Sequence, residues 1–346
     1  MAKTPVKRPR MIDIARRANV SRTAVTHVLT GAGAGKIGGV SKAKSKEIRR
    51  VAEELGYVPN AVAQQLAGKR SGLICLLASE WRGTQSQFFS ALVEACPAHN
   101  FEVLAVQASN REETLVDIVE SCLGRGVDGL VFLAFVNETF WPVAAPVLAR
   151  FPRVLSVMGD PGIEGGCCAA CDYALGMRLA VEHLHAKGRQ KIVAILEHSD
   201  TAMNRLRQRA FLETLSALGR PAMPEQLYLG TQGWTAEDAP KFDALCADLL
   251  DRGADAILAD SDWTALCLLK ALARRGVRVP DDLAVMGWGD ELPARWSNPS
   301  LSSVSFEFKD MANTVTGMLA DWIEGCPPGH RGTVNVPMKL ISRESA

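Results

Sequence analysis

Residues 11–69 constrain this chain more than any other stretch. Ile12-Asp13-Ile14-Ala15-Arg16-Arg17-Ala18 sets apolar side chains at helical spacing, Asn19-Val20-Ser21 interrupts it, and a second periodic run covers residues 22–29. Two short helices joined by a tight turn follow from that pattern, the arrangement of a helix-turn-helix. Ser21 suits the N-cap of the second helix, with Arg22, Thr23, Thr26 and His27 projecting while Ala24, Val25, Val28 and Leu29 pack inward. A third helix is predicted from an N-cap at Ser41 to Leu55, stopped by Gly56. Ile48, Val51, Ala52 and Leu55 form its buried stripe, which leaves Lys42, Lys44, Lys46, Arg49 and Arg50 for solvent or phosphate. The glycine-rich residues 31–39 between these helices read as a flexible wing.

The charge is as uneven as the motif is local. Residues 1–70 hold 15 Lys/Arg against 4 Asp/Glu, a net of +11, which leaves 24 against 34, or −10, for the remainder. The basic end should attract a polyanion and the acidic remainder should stay off it. With 346 residues, 47% of them hydrophobic, one small module plus a large core is the expected organisation. The N-terminus is basic but lacks the apolar stretch of a signal peptide, and no run approaches the roughly 18 apolar residues of a membrane span. Nine scattered cysteines fit a reducing compartment better than a disulfide framework, so a cytoplasmic location without membrane contact is expected.

From residue 73 the pattern changes to short apolar strands alternating with amphipathic helices. Strands are predicted at 73–78, 103–106, 129–133, 154–157, 192–196, 256–259 and 283–286, and helices at 175–187, 207–218 and 264–275. This alternation implies an α/β class of doubly wound parallel sheets. The number of strands calls for two lobes.

The order Asp13-Ile14-Ala15, Val20-Ser21, Val25-Thr26-His27-Val28-Leu29 and Leu55-Gly56-Tyr57-Val58-Pro59-Asn60 resembles the LacI-type family of bacterial transcription regulators, as does the hinge-like stretch at residues 62–69. Weaker echoes continue through Phe88-Phe89, Asp172, Gly176, Arg207, Gly287-Trp288-Gly289-Asp290 and residues 299–304. The resemblance implies an all-α helix-turn-helix headpiece at 1–59, a hinge helix and linker at 60–71, and a two-lobed periplasmic-binding-protein-like core at 72–346. Its N-lobe would comprise about 72–171 and 303–329, its C-lobe about 172–302 and 330–346, with crossings near Asp172, Ser302 and His330. A ligand would sit between the lobes.

That likeness also implies site roles. Arg22, Thr23, Thr26 and His27 would face base edges in the major groove of double-stranded operator DNA; His27 stands where the family commonly has arginine. In the hinge, Asn60, Ala63 and Leu66 would meet the minor groove, with Leu66 paired with its twin in a homodimer and inserted between central base pairs of a pseudo-palindrome. Effector contacts would come from Phe88, Phe89, Arg207, Trp234, Ser261, Asp262, Trp288 and Asp290. Arg207 offers a planar five-donor fork for hydroxyls or a carboxylate. Ser261 lies where asparagine is frequent and Gly289 where aspartate is frequent, with Asp262 and Asp290 next door. Trp81, Trp263 and Trp288 follow predicted strand ends, where flat faces would suit a sugar ring or serve core packing equally well.

Other chemistry fails on spacing. Gly33-Ala34-Gly35-Lys36-Ile37-Gly38 follows a helix rather than a strand, so it is no dinucleotide fingerprint. Cys167-Cys168-Ala169-Ala170-Cys171 lacks a second pair or nearby histidine for zinc, and His183 and His185 point to different helix faces. No nucleophile elbow or zincin motif is present, which argues against an enzyme. The reading is a DNA-binding regulator, a repressor in its simplest form, with no cofactor and a small effector in the core. A carbohydrate or sugar acid is expected there and a purine-like corepressor is the alternative. A solute-binding protein would need an export signal, and a sugar-active enzyme a pair of poised carboxylates.

Overall fold

Short-range capping chemistry sets the limits of the N-terminal helices. The computed structural model describes residues 9–30, 40–58, 70–79, 81, 83–108, 111–133, 140–159, 162–197, 201–220, 223, 226–230, 239–326 and 333–346. It divides into two compact units, Met1–Gly72 and Leu73–Ala346. In the first, helix α1 (Met11–Arg17) opens with the Asp13 carboxylate accepting the Arg10 backbone N–H at 2.8 Å. It ends where Asn19 turns to φ +49°, a left-handed conformation that asparagine tolerates. The Ser21 hydroxyl then receives the Ala24 N–H at 3.1 Å to start α2 (Arg22–Thr30), and Ser41 receives the Lys44 N–H at 3.2 Å to start α3 (Lys42–Glu54). Gly56 at φ +64° closes α3. Ile14, Val25 and Ile48 are fully buried where the three helices meet, with Ala15, Ala18, Val28, Val51 and Ala52 around them. Each large side chain of this kind stabilises the unit by about 1.5–3 kcal/mol.

The second unit carries two six-stranded sheets. Strands β1 (Leu73–Ala78), β2 (Glu102–Gln107), β3 (Gly129–Leu133), β4 (Val154–Val157), β5 (Cys167–Cys171) and β11 (Thr333–Val336) form the first, in the order β11-β5-β4-β3-β1-β2. Strands β6 (Ile192–Glu197), β7 (Leu227–Gly230), β8 (Ala256–Leu258), β9 (Ala284–Gly289), β10 (Ser302–Ser305) and β12 (Lys339–Ile341) form the second, in the order β12-β10-β9-β8-β6-β7. All pairings are parallel except β10 with β12, where Val304 faces Leu340. The central strands β3, β4, β8 and β9 are buried along their whole length, which is why they read as continuous apolar runs: helices cover both faces.

The chain passes from the first sheet to the second at Asp172, whose side chain caps the helix Tyr173–Ala186 through the Leu175 N–H at 2.9 Å. It returns after β10, through Phe306 and Glu307, to the helix Phe308–Ile323, which packs on the first-lobe helix Gly83–Ala95. The last passage lies between β11 and β12, at residues 337–338. The second and third crossings therefore fall later than the sequence suggested near Ser302 and His330: β10 hydrogen-bonds to β9 in the C-lobe, and β11 to β5 in the N-lobe. His330 itself is outside the described residues.

The cysteine-rich segment is strand β5. Cys167, Ala169 and Cys171 face one hydrophobic core, and the Cys168 Sγ lies 3.3 Å from the Gly159 carbonyl. Burial pushes the Cys171 thiol well above its ordinary range, so it stays protonated and unreactive.

Candidate functional site

The second helix of the headpiece presents Arg22 and Thr23 to solvent, while Thr26 and His27 are half-buried. Thr26 differs from the sequence expectation: its hydroxyl donates to the Arg22 carbonyl at 3.0 Å and lies 3.4 Å from the Met11 sulfur, so it is engaged within the headpiece. The cations of α3 also divide. Arg49 donates to the Val28 carbonyl at 3.2 Å, Lys44 pairs with Glu47 at 2.9 Å, and Arg50 pairs with Glu54. Lys42 and Lys46 stay exposed. Asn60, Ala63, Leu66 and the wing at 31–39 lie outside the described residues.

In the core, the residues of interest gather where strands end. Arg207, on the helix Ala202–Ala217 that follows β6, is only 2% exposed. Its Nη2 donates to the Asp260 carbonyl at 3.3 Å, and its guanidinium lies 4.0 Å above the Trp288 ring at the end of β9. Such a contact, out of water, is worth on the order of 2 kcal/mol. Trp288 in turn lies nearly parallel to Tyr173 at 6.5 Å, and the Tyr173 hydroxyl donates to the Met158 carbonyl of the N-lobe at 2.9 Å. Gly176 makes this approach possible, because a Cβ there would come within 3.0 Å of the indole. With Arg207 and Tyr173 against it, Trp288 is buried, the packing alternative of the two that the sequence left open.

The remaining expected contacts take distinct places. Ser261 caps the helix Asp262–Arg274 through the Thr264 N–H at 3.2 Å. Asp262 is buried, accepting the Ser303 hydroxyl at 2.5 Å and the Glu291 N–H at 2.6 Å; burial raises its carboxyl to about 6. The Asp290 carboxylate is held by Arg343 and by Arg295, the latter at 3.1 Å. Phe88 is wholly buried and edge-on to Phe308, a core position, whereas half-buried Phe89 tilts against Trp81 at 5.4 Å. Trp263 is 54% exposed on the C-lobe surface. Trp234 lies outside the described residues. Tyr173, Asp260 and Glu291 join the site without having been singled out from sequence. Tyr173 could have been found from its place beside Asp172 at a lobe crossing, but nothing local marks the other two. Burial also raises the Asp260 and Glu291 carboxyls.

Among the described residues no cluster of side chains suits a metal ion, and no helix is long and apolar enough to cross a membrane. Residues 10–60 match the model for bacterial regulatory proteins of the lacI family, and residues 181–346 match that for a periplasmic binding protein-like domain. The chain carries a lacI-family DNA-binding domain followed by a periplasmic-binding-protein-like domain. It is a DNA-binding transcriptional regulator with a periplasmic-binding-protein-like core. Among curated relatives, the HTH-type transcriptional regulator CelR of Thermobifida fusca is 28% identical over 92% of this chain and 93% of its own length. The fold is similar to that of the lac repressor dimer bound to operator and the anti-inducer ONPF, with a TM-score of 0.78, 24% identity and coverage of 98% and 99%. A CelR–cellobiose complex superposes with a TM-score of 0.67 at 25% identity, covering 98% and 100%.

Proposed function

We propose that this protein represses transcription from the cytoplasm as a homodimer, and that a carbohydrate or sugar acid bound between the lobes alters its grip on a pseudo-palindromic operator. The observation that carries the effector reading is Arg207, a guanidinium buried at the carboxyl ends of the C-lobe strands. Open α/β sheets take their ligands at that place. Cellobiose in the CelR complex supports a carbohydrate. The described carboxylates nearby are tied into the protein, Asp260 and Asp262 by hydrogen bonds and Asp290 by Arg295 and Arg343, which favours a binding site over a catalytic one.

Dimerisation is supported by an apolar surface on the C-lobe. Trp263, Leu292 and Trp296 are 54%, 65% and 82% exposed, on the packed helices Asp262–Arg274 and Leu292–Trp296. Large exposed rings grouped this way suit a second copy of the chain. Light scattering should give twice the monomer mass, and Trp296→Glu should lower it.

Effector class can be tested by thermal shift with cellobiose, D-ribose, D-gluconate and hypoxanthine. A ligand of the native state raises the melting temperature. One of the first three should do so for the wild type and not for Arg207→Ala. A response to hypoxanthine alone would replace the carbohydrate with a purine, and an equal response in Arg207→Ala would remove Arg207 from the site.

A further inference from the structure

The two lobes also touch through Glu291 and the start of the helix Gly83–Ala95, beside the expected effector contacts. The helix Gly83–Ala95 belongs to the N-lobe and begins without an acidic residue in its first turn, where backbone N–H groups lack intrahelical acceptors and favour negative charge. That charge comes from the other lobe. The carboxylate of Glu291, in the loop after β9, closes on this N-terminus, its Oε1 lying 2.9 Å from where a Cβ of Gly83 would stand, and the Thr84 backbone draws its pKa down against the effect of burial.

Two glycines flank this contact, and Gly83 gives it room. A Cβ at Gly83 would sit 2.9 Å from the Glu291 Oε1, and a Cβ at Gly289 would lie 3.5 Å from both the Glu291 Cγ and the Thr84 Cγ2. Both glycines have positive φ, +52° and +129°, values that side chains disfavour. The loop carrying Glu291 is itself anchored. Its own N–H donates to Asp262 at 2.6 Å, the neighbouring Asp290 N–H donates to the Ser303 hydroxyl at 3.0 Å, and the Asp290 carboxylate holds Arg343 and Arg295. An anchored C-lobe loop thus brings one carboxylate to the first residues of an N-lobe helix.

We propose that Glu291 is a latch between the lobes, capping the N-lobe helix Gly83–Ala95 across the cleft so that relative movement of the lobes must break this contact. The regulatory meaning of the latch rests on the reading of the cleft as an effector site; its existence does not. Opening the lobes strips the helix of its cap, and a ligand that favours one lobe arrangement is opposed or assisted by this contact.

Hydrogen exchange on the full-length protein tests it without ligand or DNA. Relative to wild type, Glu291→Ala should speed exchange of the Thr84 amide at least tenfold while strand β3 keeps its protection, and Glu291→Gln, which retains a neutral acceptor, should fall between. Unchanged Thr84 exchange in Glu291→Ala would overturn the latch. If Glu291→Ala also loosens β3, the isosteric Glu291→Gln decides: faster Thr84 exchange with β3 intact supports the latch, and wild-type exchange refutes it. Failure here leaves the regulator reading standing, and failure to find an operator leaves this result untouched.

Discussion

Asp262 shows what one buried carboxylate demands of its neighbours. It lies over Gly287, where a Cβ would overlap the Asp262 Oδ1 and come within 2.8 Å of Leu301. Gly287→Ala should therefore destabilise the core by on the order of 2 kcal/mol, read from the midpoint of urea unfolding. Burial raises the Asp262 carboxyl from 3.8 to about 6, so the folded state binds this proton more tightly than the unfolded chain. Its contribution is fully present below about pH 4 and is lost as pH rises through 6, a change of about 3 kcal/mol. Asp262→Asn cannot titrate, so between pH 4 and pH 7 the stability of wild type should fall relative to that of the variant by this amount; parallel curves would assign the pKa shift elsewhere. None of this was visible in the sequence, because Asp262 meets Ser303 across 41 residues and Glu291 across 29. The helix caps Ser21, Ser41 and Asp172 serve amides only three residues away. Ser21 and Ser41 were read directly from the local pattern.

The same division between local and distant causes holds for whole elements. Helices α1 to α3 and the central strands were legible because apolar periodicity and runs of Val, Leu and Ile record burial directly. Strand β5 was not: its Cys and Ala side chains resemble a failed metal motif until β4 and β11 pair on either side of it. Strands β10 to β12 are three or four residues long, too short to carry a period, and this displaced two of the lobe crossings. In the headpiece, Arg49 reads from sequence as free for solvent or phosphate but donates to a carbonyl of α2. Arg49→Ala should cost about 1 kcal/mol of local stability, seen as faster hydrogen exchange in α2 with α3 little changed. Equal acceleration in both helices would indicate that the side chain supports the headpiece as a whole.

At the scale of the molecule, charge and architecture divide the work between two units. The headpiece concentrates a net +11 within 70 residues, and the remaining chain carries −10. Association with DNA through the headpiece releases counterions from phosphates, so log affinity should fall against log salt with a slope steeper than about −4. The core buries Arg207 and Trp288 where strand ends converge, and the fold could be foreseen there from alternating strands and helices. The surroundings of Arg207 could not, since Asp260 and Tyr173 come to it from separate segments of the chain. The central claim is that one chain reads DNA and answers to a small molecule. Its most direct test is selection of duplexes from a random pool by the full-length protein, followed by titration of the selected site with and without the compound that raises the melting temperature. The account predicts an inverted repeat whose affinity changes at least tenfold with that compound, and loss of the change, but not of binding, in Arg207→Ala. Enrichment of no sequence, or an affinity indifferent to every compound that binds the core, would contradict it.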